Sequence, residues 1–176
     1  MNYATIKPID VANGPGVRAS LFVSGCTHRC KGCFNSEAWD FDYGQPFDEN
    51  AENKIFDALS HDYIEGFSLL GGEPFEPQNQ EVLLPFLRKL KEKFPDKTIW
   101  CYSGYLYEDI LAGNVGEKLT ASGMLSLIDI LVDGKFIEAQ KDLHLRFRGS
   151  ANQRIIDVKK SMKADEIVFW DQEMYI

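Results

Sequence analysis

Short apolar runs alternate along this chain with longer segments whose apolar residues recur at helical spacing. The short runs predict strands, because strands buried on both faces are near-continuous apolar segments of about four to eight residues. The predicted strands cover Val17–Val23, Ile64–Leu70, Thr98–Tyr102, Ile128–Asp133, Arg154–Val158 and Glu166–Trp170.

Between these runs, apolar residues at intervals of three and four predict helices. The clearest helix is predicted over Asn79–Phe94. In the helix predicted over Asp48–Leu59, Asp48 is a candidate N-cap. Weaker helical patterns cover Tyr107–Leu111 and Glu117–Leu125.

Strands that alternate with helices indicate βα units and an α/β fold with a mainly parallel sheet. About four to six such units are too few to close an eight-stranded barrel, so we expect an open, curved sheet, a partial barrel. We expect residues 1–176 to form one domain. Functional loops should meet at the carboxyl edge of the sheet, as in other parallel α/β folds. The candidate loops are 25–35, 71–77, 103–105 and 133–136.

Composition and charge narrow the function classes. Hydrophobic residues make up 44% of the chain, which is typical of a folded protein. A net charge of −8 argues against nucleic acid as the main partner, because phosphate binding needs a basic face. Residues 1–8 contain no apolar h-region, and no apolar stretch of about 18 residues occurs. We therefore expect a cytoplasmic protein that binds neither nucleic acid nor membrane.

Candidate chemistry is concentrated in one loop, where Cys26, Cys30 and Cys33 form a C-x3-C-x2-C pattern. Clustered thiolates select zinc, copper(I) or iron–sulfur clusters. A closed structural zinc site needs four ligands, whereas this loop supplies three. An iron–sulfur cubane on three cysteines leaves one iron open to a non-protein ligand, so the pattern indicates a reactive redox site and not a structural metal site.

Two other kinds of site remain open for this loop. The first is a zinc site completed by His28, His61 or Cys101, although His28 lies between two cysteines, where simultaneous ligation is awkward. The second is a thioredoxin-like dithiol formed by the last two cysteines, which leaves the first cysteine unexplained.

The cysteine loop directly after a strand, together with Gly71-Gly72-Glu73-Pro74 after the next strand, resembles the radical S-adenosylmethionine superfamily. Within that superfamily, six segments in this order resemble the activating proteins of anaerobic ribonucleoside-triphosphate reductases. The superfamily often has an aromatic residue before the third cysteine, and Gly32 at that position fits the reductase-activating branch. The six segments are 13–18, 25–35, 71–74, 102–105, 132–136 and 148–154.

This resemblance implies a 4Fe–4S cluster on the three cysteines, with S-adenosyl-L-methionine chelated at the open iron through its amino and carboxylate groups. One electron cleaves the sulfonium into methionine and a 5′-deoxyadenosyl radical, which abstracts hydrogen from a glycine of a large protein substrate. The implied partners are the large subunit of the anaerobic ribonucleoside-triphosphate reductase and a low-potential electron donor such as flavodoxin or ferredoxin.

The candidate cofactor-binding residues follow strand ends. Gly71 and Gly72 let backbone approach a ligand closely, and by resemblance this segment binds the methionine amino group. Glu73 either orders that turn or adds negative charge near the ammonium. Ser103 and Asp133 can bind ribose hydroxyls or polar groups on the adenine side. The plainer alternative for each is an ordinary turn or strand-end residue.

Three rival functions stay open. The chain could activate another glycyl-radical enzyme, or modify a small substrate such as a purine-derived carboxylate. It could also be a non-catalytic zinc or iron–sulfur module that scaffolds a complex. The short chain and the segment 148–154 favour the reductase activase.

Overall fold

The predicted alternation of strands and helices is largely present in the computed structural model, which describes residues 1–171. The strands are β1 (Asn2–Asp10), β2 (Arg18–Val23), β3 (Gln45–Pro46), β4 (Gly66–Gly71), β5 (Thr98–Tyr102), β6 (Ile130–Asp133) and β7 (Arg154–Asp157). The helices are α1 (Glu49–Leu59), α2 (Pro77–Lys93), α3 (Tyr107–Ala112), α4 (Lys118–Leu127) and α5 (Val158–Ala164).

All seven strands belong to one sheet in the order β3-β1-β2-β4-β5-β6-β7. The pairings β2–β4, β4–β5 and β5–β6 are parallel, whereas β1–β2, β1–β3 and β6–β7 are antiparallel. The prediction of a mainly parallel sheet is therefore wrong, because the sheet is mixed. The link between β1 and β2, residues 11–17, is too short for a parallel crossover, which needs about a dozen residues.

Four elements differ from the sequence prediction, and one of them is the two-residue strand β3, which was not predicted. Strand β1 was not predicted, because Lys7, Pro8 and Asp10 interrupt its apolar residues. The strand expected over Glu166–Trp170 is reduced to one isolated bridge between Phe169 and Ile156 in β7. Helix α5 was also missed.

One face of the sheet packs against the helices and carries the main core. Strand β4 contributes Phe67 and Leu69, and α2 contributes Leu83 and Phe86, all of them fully buried. Every residue of β2 is buried, as expected for a strand covered on both faces. Helix α1 begins at the predicted N-cap, where the Asp48 carboxylate accepts a hydrogen bond from the backbone N–H of Ala51 at 3.0 Å.

The opposite face of the sheet is also buried but more polar. Trp100 forms a small apolar cluster there, against which Phe147 and Trp170 pack. Arg18 is 1% exposed and donates to the Ser68 hydroxyl at 2.8 Å and to the Thr98 carbonyl at 2.9 Å. Within residues 1–171, no helix combines the length and the apolar character that crossing a bilayer requires.

Candidate active site

The cysteine loop leaves the end of β2 and folds back onto a short 3-10 helix at Ser36–Trp39. The backbone N–H of Gly25 donates to the Ala38 carbonyl at 2.8 Å, and that of Cys26 donates to the Trp39 carbonyl at 3.1 Å. Gly25 has a left-handed φ of 94°, and a Cβ there would lie 2.2 Å from the Phe41 ring. A glycine is therefore required immediately before the first cysteine.

A cavity of about 390 Å³ lies at the carboxyl ends of the parallel strands. All four predicted functional loops contribute to its wall, which confirms that they meet at one edge of the sheet. The wall includes Cys26, Cys30, Cys33, Gly71, Gly72, Glu73, Ser103, Gly104, Gly134 and Phe136. Leu70 and Tyr102 line the cavity from the sheet itself.

The three thiols share this cavity without forming a ready-made metal cage. Nowhere in residues 1–171 do three or more His, Cys, Asp or Glu side chains lie close enough together to hold a metal ion. Burial raises the pKa of the Cys26 thiol to about 11 and also raises the pKa of Cys30. Metal ligation needs thiolates, so loading must displace these protons and draw the sulfurs together. As a donor set, three thiolates suit an iron–sulfur cluster.

Three buried polar side chains, Glu73, Glu76 and Asn79, hold the cysteine loop against the connection between β4 and α2, and we call them the loop clamp. One carboxylate oxygen of Glu76 accepts from the Thr27 backbone N–H at 2.7 Å and from its hydroxyl at 2.6 Å. The side-chain amide of Asn79 donates to the Ser24 carbonyl at 3.0 Å. The loop is thus fixed on both sides of the first cysteine.

Glu73 is the centre of the loop clamp and is 1% exposed. Its Oε1 accepts from the Phe75 backbone N–H at 2.9 Å and from the Ser103 hydroxyl at 2.8 Å. Its Oε2 accepts from the Gly104 backbone N–H at 2.6 Å and pairs with His28 Nε2 at 2.9 Å. A carboxylate has about four acceptor positions, so these three donors, together with a His28 tautomer that carries its proton on Nε2, occupy all of them. The geometry supports the first role considered for Glu73, ordering of the turn.

The two glycines before Glu73 are required by the protein's own backbone. A Cβ on Gly71, whose φ is 114°, would lie 2.5 Å from the backbone nitrogen of Val23. A Cβ on Gly72 would lie 2.5 Å from the carbonyl oxygen of Gly25 and 2.9 Å from that of Ala38. The turn after β4 therefore packs directly against the cysteine loop, with no room for a side chain between them.

The other two predicted cofactor-binding residues, Ser103 and Asp133, also form hydrogen bonds within the protein. Ser103 lines the cavity, and its hydroxyl donates to Glu73. Asp133 is fully buried behind the cavity wall, where it accepts from the Tyr107 backbone N–H at 2.8 Å and from Arg154 Nε at 2.9 Å. Binding of the cofactor by either residue stays a prediction.

Comparisons with known proteins agree with the cysteine chemistry. The family described as a 4Fe-4S single cluster domain matches residues 12–156. The chain is 46% identical over 157 residues to the anaerobic ribonucleoside-triphosphate reductase-activating protein of Haemophilus influenzae, which covers 88% of the chain and 97% of that relative. The chain belongs to the family of these activating proteins. Other members of the family are similar over the same length. The activating protein of Pasteurella multocida is 44% identical over 157 residues, covering 88% of the chain and 96% of the relative. That of Escherichia coli K12 is 41% identical over 155 residues, covering 87% and 96% respectively.

The sequence analysis did not predict some of the residues that form this site. Glu76 and Asn79 belong to the loop clamp, and the regular interval of three residues from Glu73 to Glu76 and from Glu76 to Asn79 was the signal that could have revealed them. His28 was considered only as a zinc ligand, and its pairing with Glu73 was not predicted. Arg148 lines the cavity from the segment after β6, and its buried Nε has no hydrogen-bond partner within residues 1–171. Nothing in the local pattern indicates that this segment reaches the cysteines.

Proposed function

We propose that the chain activates an anaerobic ribonucleoside-triphosphate reductase by generating a glycyl radical on its large subunit. The observation that carries this proposal is the 41–46% identity to activating proteins over almost their whole length. The match to a 4Fe-4S family supports a redox cluster over a zinc scaffold. When bound, the cluster supplies one electron to S-adenosyl-L-methionine, which yields methionine and a 5′-deoxyadenosyl radical. That radical takes a hydrogen atom from a glycine Cα, leaving 5′-deoxyadenosine and the glycyl radical.

We assign the cluster to Cys26, Cys30 and Cys33. Three features support the assignment: the thiols share one cavity, they belong to one loop, and thiolates are the usual ligands of iron–sulfur clusters. Cys101 is excluded as a cluster ligand. It is fully buried in β5, and it does not belong to the cavity wall that the described residues form. The loop clamp orients the thiols by fixing the spacer between the first two cysteines.

We further propose that S-adenosyl-L-methionine lies in the same cavity, against Gly71, Gly72 and Glu73, with Ser103 on the adjacent wall. Asp133 contributes through the strand end that it orders, one residue before the cavity-lining Gly134. The apolar part of the wall excludes water, which protects a reactive radical from side reactions. The protein's contribution is binding, orientation and this exclusion.

We also propose that residues 1–176 form one radical S-adenosylmethionine domain with the curvature of a partial barrel. A single sheet with one main core, formed by the described part of the chain, supports the single domain. We place the protein in the cytoplasm, where free thiols persist, and all four cysteines are free. A low-potential flavodoxin or ferredoxin would supply the electron.

The test is an anaerobic reaction of the cluster-loaded protein with S-adenosyl-L-methionine, a strong chemical reductant and the reductase. We expect 5′-deoxyadenosine, methionine and a carbon-centred radical on the reductase. Its main hyperfine splitting should change when the reductase is labelled with α-deuterated glycine. The Cys33→Ala variant is the negative control. Cleavage without any radical on an active reductase would overturn the activase proposal, and stoichiometric zinc without sulfide would favour a scaffold.

A further inference from the structure

Two exposed apolar side chains stand at the mouth of the cavity. Phe34 is 84% exposed and Leu143 is 86% exposed, the highest values among the large hydrophobic residues of the described chain. Both line the cavity that the three cysteines share, although one belongs to the cysteine loop and the other to the segment between β6 and β7. Exposed apolar residues grouped at a functional opening mark an interaction site, whereas single scattered ones do not.

The same two segments are basic, although the protein is acidic. Residues 26–35 and 134–153, which we call the mouth segments, contain six Lys and Arg residues and two acidic residues, a net charge of +4. The whole chain has a net charge of −8, so the rest of the chain has −12. The basic residues of the mouth segments are Arg29, Lys31, Lys135, Lys141, Arg146 and Arg148. All but Arg148, which is half-buried, are exposed.

Contacts between the mouth segments make them one continuous surface. Lys31 Nζ lies 3.0 Å from Glu138 Oε2. The same glutamate packs against the cysteine loop, because a Cβ on Gly32 would lie 2.9 Å from Glu138 Oε1. Two of the basic residues, Lys141 and Arg148, line the opening together with the apolar pair.

We propose that this opening is the docking surface for the glycine-bearing segment of the reductase, with Phe34 and Leu143 as apolar anchors and the basic residues facing an acidic surface of that partner. The inference rests on the proposed function. Hydrogen abstraction requires a glycine Cα to reach the cavity, so the partner's main chain must cross the rim on which both anchors stand. Apolar anchors inside a charged rim are the usual anatomy of a protein interface. Opposite charge steers the encounter of the two proteins.

The apolar anchor is tested with Leu143→Ser, because Leu143 is distant in sequence from the cysteines. Its matched control is Leu119→Ser, which removes a side chain 77% exposed on α4. Radical yield on the reductase is measured against reductase concentration with a chemical reductant, and is normalised to cluster iron. We expect Leu143→Ser to raise the half-saturating reductase concentration roughly tenfold, as truncation of an interface anchor does. The control should match the wild type.

The charge complementarity is tested with Lys141→Glu, at an exposed residue that lines the opening, against Lys163→Glu, an equal charge reversal on α5. Lys141→Glu should weaken activation most at low ionic strength, and the difference from its control should shrink as salt screens the contact. If both variants give the same radical yields as their controls, while the wild type forms the radical, the docking surface is overturned and the activase function is left intact. If the wild type itself forms no radical, both proposals fail together. A defect that appears only with a protein electron donor, and never with the chemical reductant, would reassign the surface to that donor.

Discussion

Replacement of Glu73 by glutamine tests whether the loop clamp holds the cysteine loop in place. The substitution preserves the size of the side chain but converts one acceptor oxygen into an NH2 donor. In one orientation the NH2 group faces the backbone N–H of Gly104, and in the flipped orientation it faces that of Phe75. His28 and the Ser103 hydroxyl can reverse their donor roles, whereas a backbone N–H cannot. Either orientation therefore leaves one buried N–H without an acceptor.

The expected cost follows from the burial of this group. An unsatisfied buried donor costs about 1–3 kcal/mol, and the lost bonds were made to an ionised carboxylate, which places the cost near the middle or upper part of that range. Because Glu73 is 1% exposed, solvent screening does not reduce this value. At about 2 kcal/mol and a urea m-value of about 2 kcal/mol per molar, the unfolding midpoint should fall by about 1 M.

The assay is urea unfolding of the metal-free protein under anaerobic conditions, followed by circular dichroism and tryptophan fluorescence. Glu81→Gln is the matched control, since Glu81 is exposed on the same α2 helix and its variant should unfold with the wild type. A midpoint for Glu73→Gln within about 0.3 M of the wild type, at an unchanged m-value, would refute the reasoning. It would mean that the four hydrogen bonds of Glu73 contribute little to the stability of the loop.

Three other outcomes are expected from the site. Cys33→Ala should abolish the cluster, whereas Cys101→Ala should retain iron and sulfide, because that thiol is buried in β5; iron and sulfide analysis after anaerobic reconstitution decides this. Gly72→Val should destabilise the metal-free protein by more than about 2 kcal/mol, since its Cβ would lie 2.5 Å from the Gly25 carbonyl oxygen. Unchanged urea stability with weaker S-adenosyl-L-methionine binding would instead indicate that ligand, not backbone, fills that space. In metal-free protein, the alkylation rate of Cys26 should rise with pH towards an inflection near 11, and an inflection near 9 would contradict the desolvation of this thiol.

The sequence predicted the central elements because each one has an unambiguous local signal. Strands β4 and β5 are continuous apolar runs, and α2 has a long apolar face that begins after Pro77 at its first turn. Strand β1 lacked such a signal, because it is held in the sheet by pairing with β2 and β3 and not by an apolar run of its own. The mixed character of the sheet depends on such pairings, and the sequence of a single strand does not show whether its neighbours run parallel or antiparallel to it.

The same distinction applies to the site. The cysteines, the glycine turn and the strand-end positions were found because their residue types are chemically specific. The partners of Glu73 could not be found, because its hydrogen bonds with His28, Ser103 and Gly104 reach residues that lie 30 to 45 positions away in the chain. Sequence spacing identified side chains able to contact a cofactor, but only the fold reveals that several of them already form hydrogen bonds within the protein.

The composition of the loop clamp has a consequence for damage and repair. Its contacts join oxygen and nitrogen atoms of Thr27, His28 and Ser24 to buried side chains, and none of them uses a thiol or a metal. Oxygen that destroys an iron–sulfur centre therefore leaves these anchors intact. We expect chelated protein to keep the far-ultraviolet circular dichroism spectrum of the loaded form, which reports the backbone, and to regain iron without a refolding phase. A cell returning to anaerobic growth could then recharge existing molecules instead of synthesising new ones.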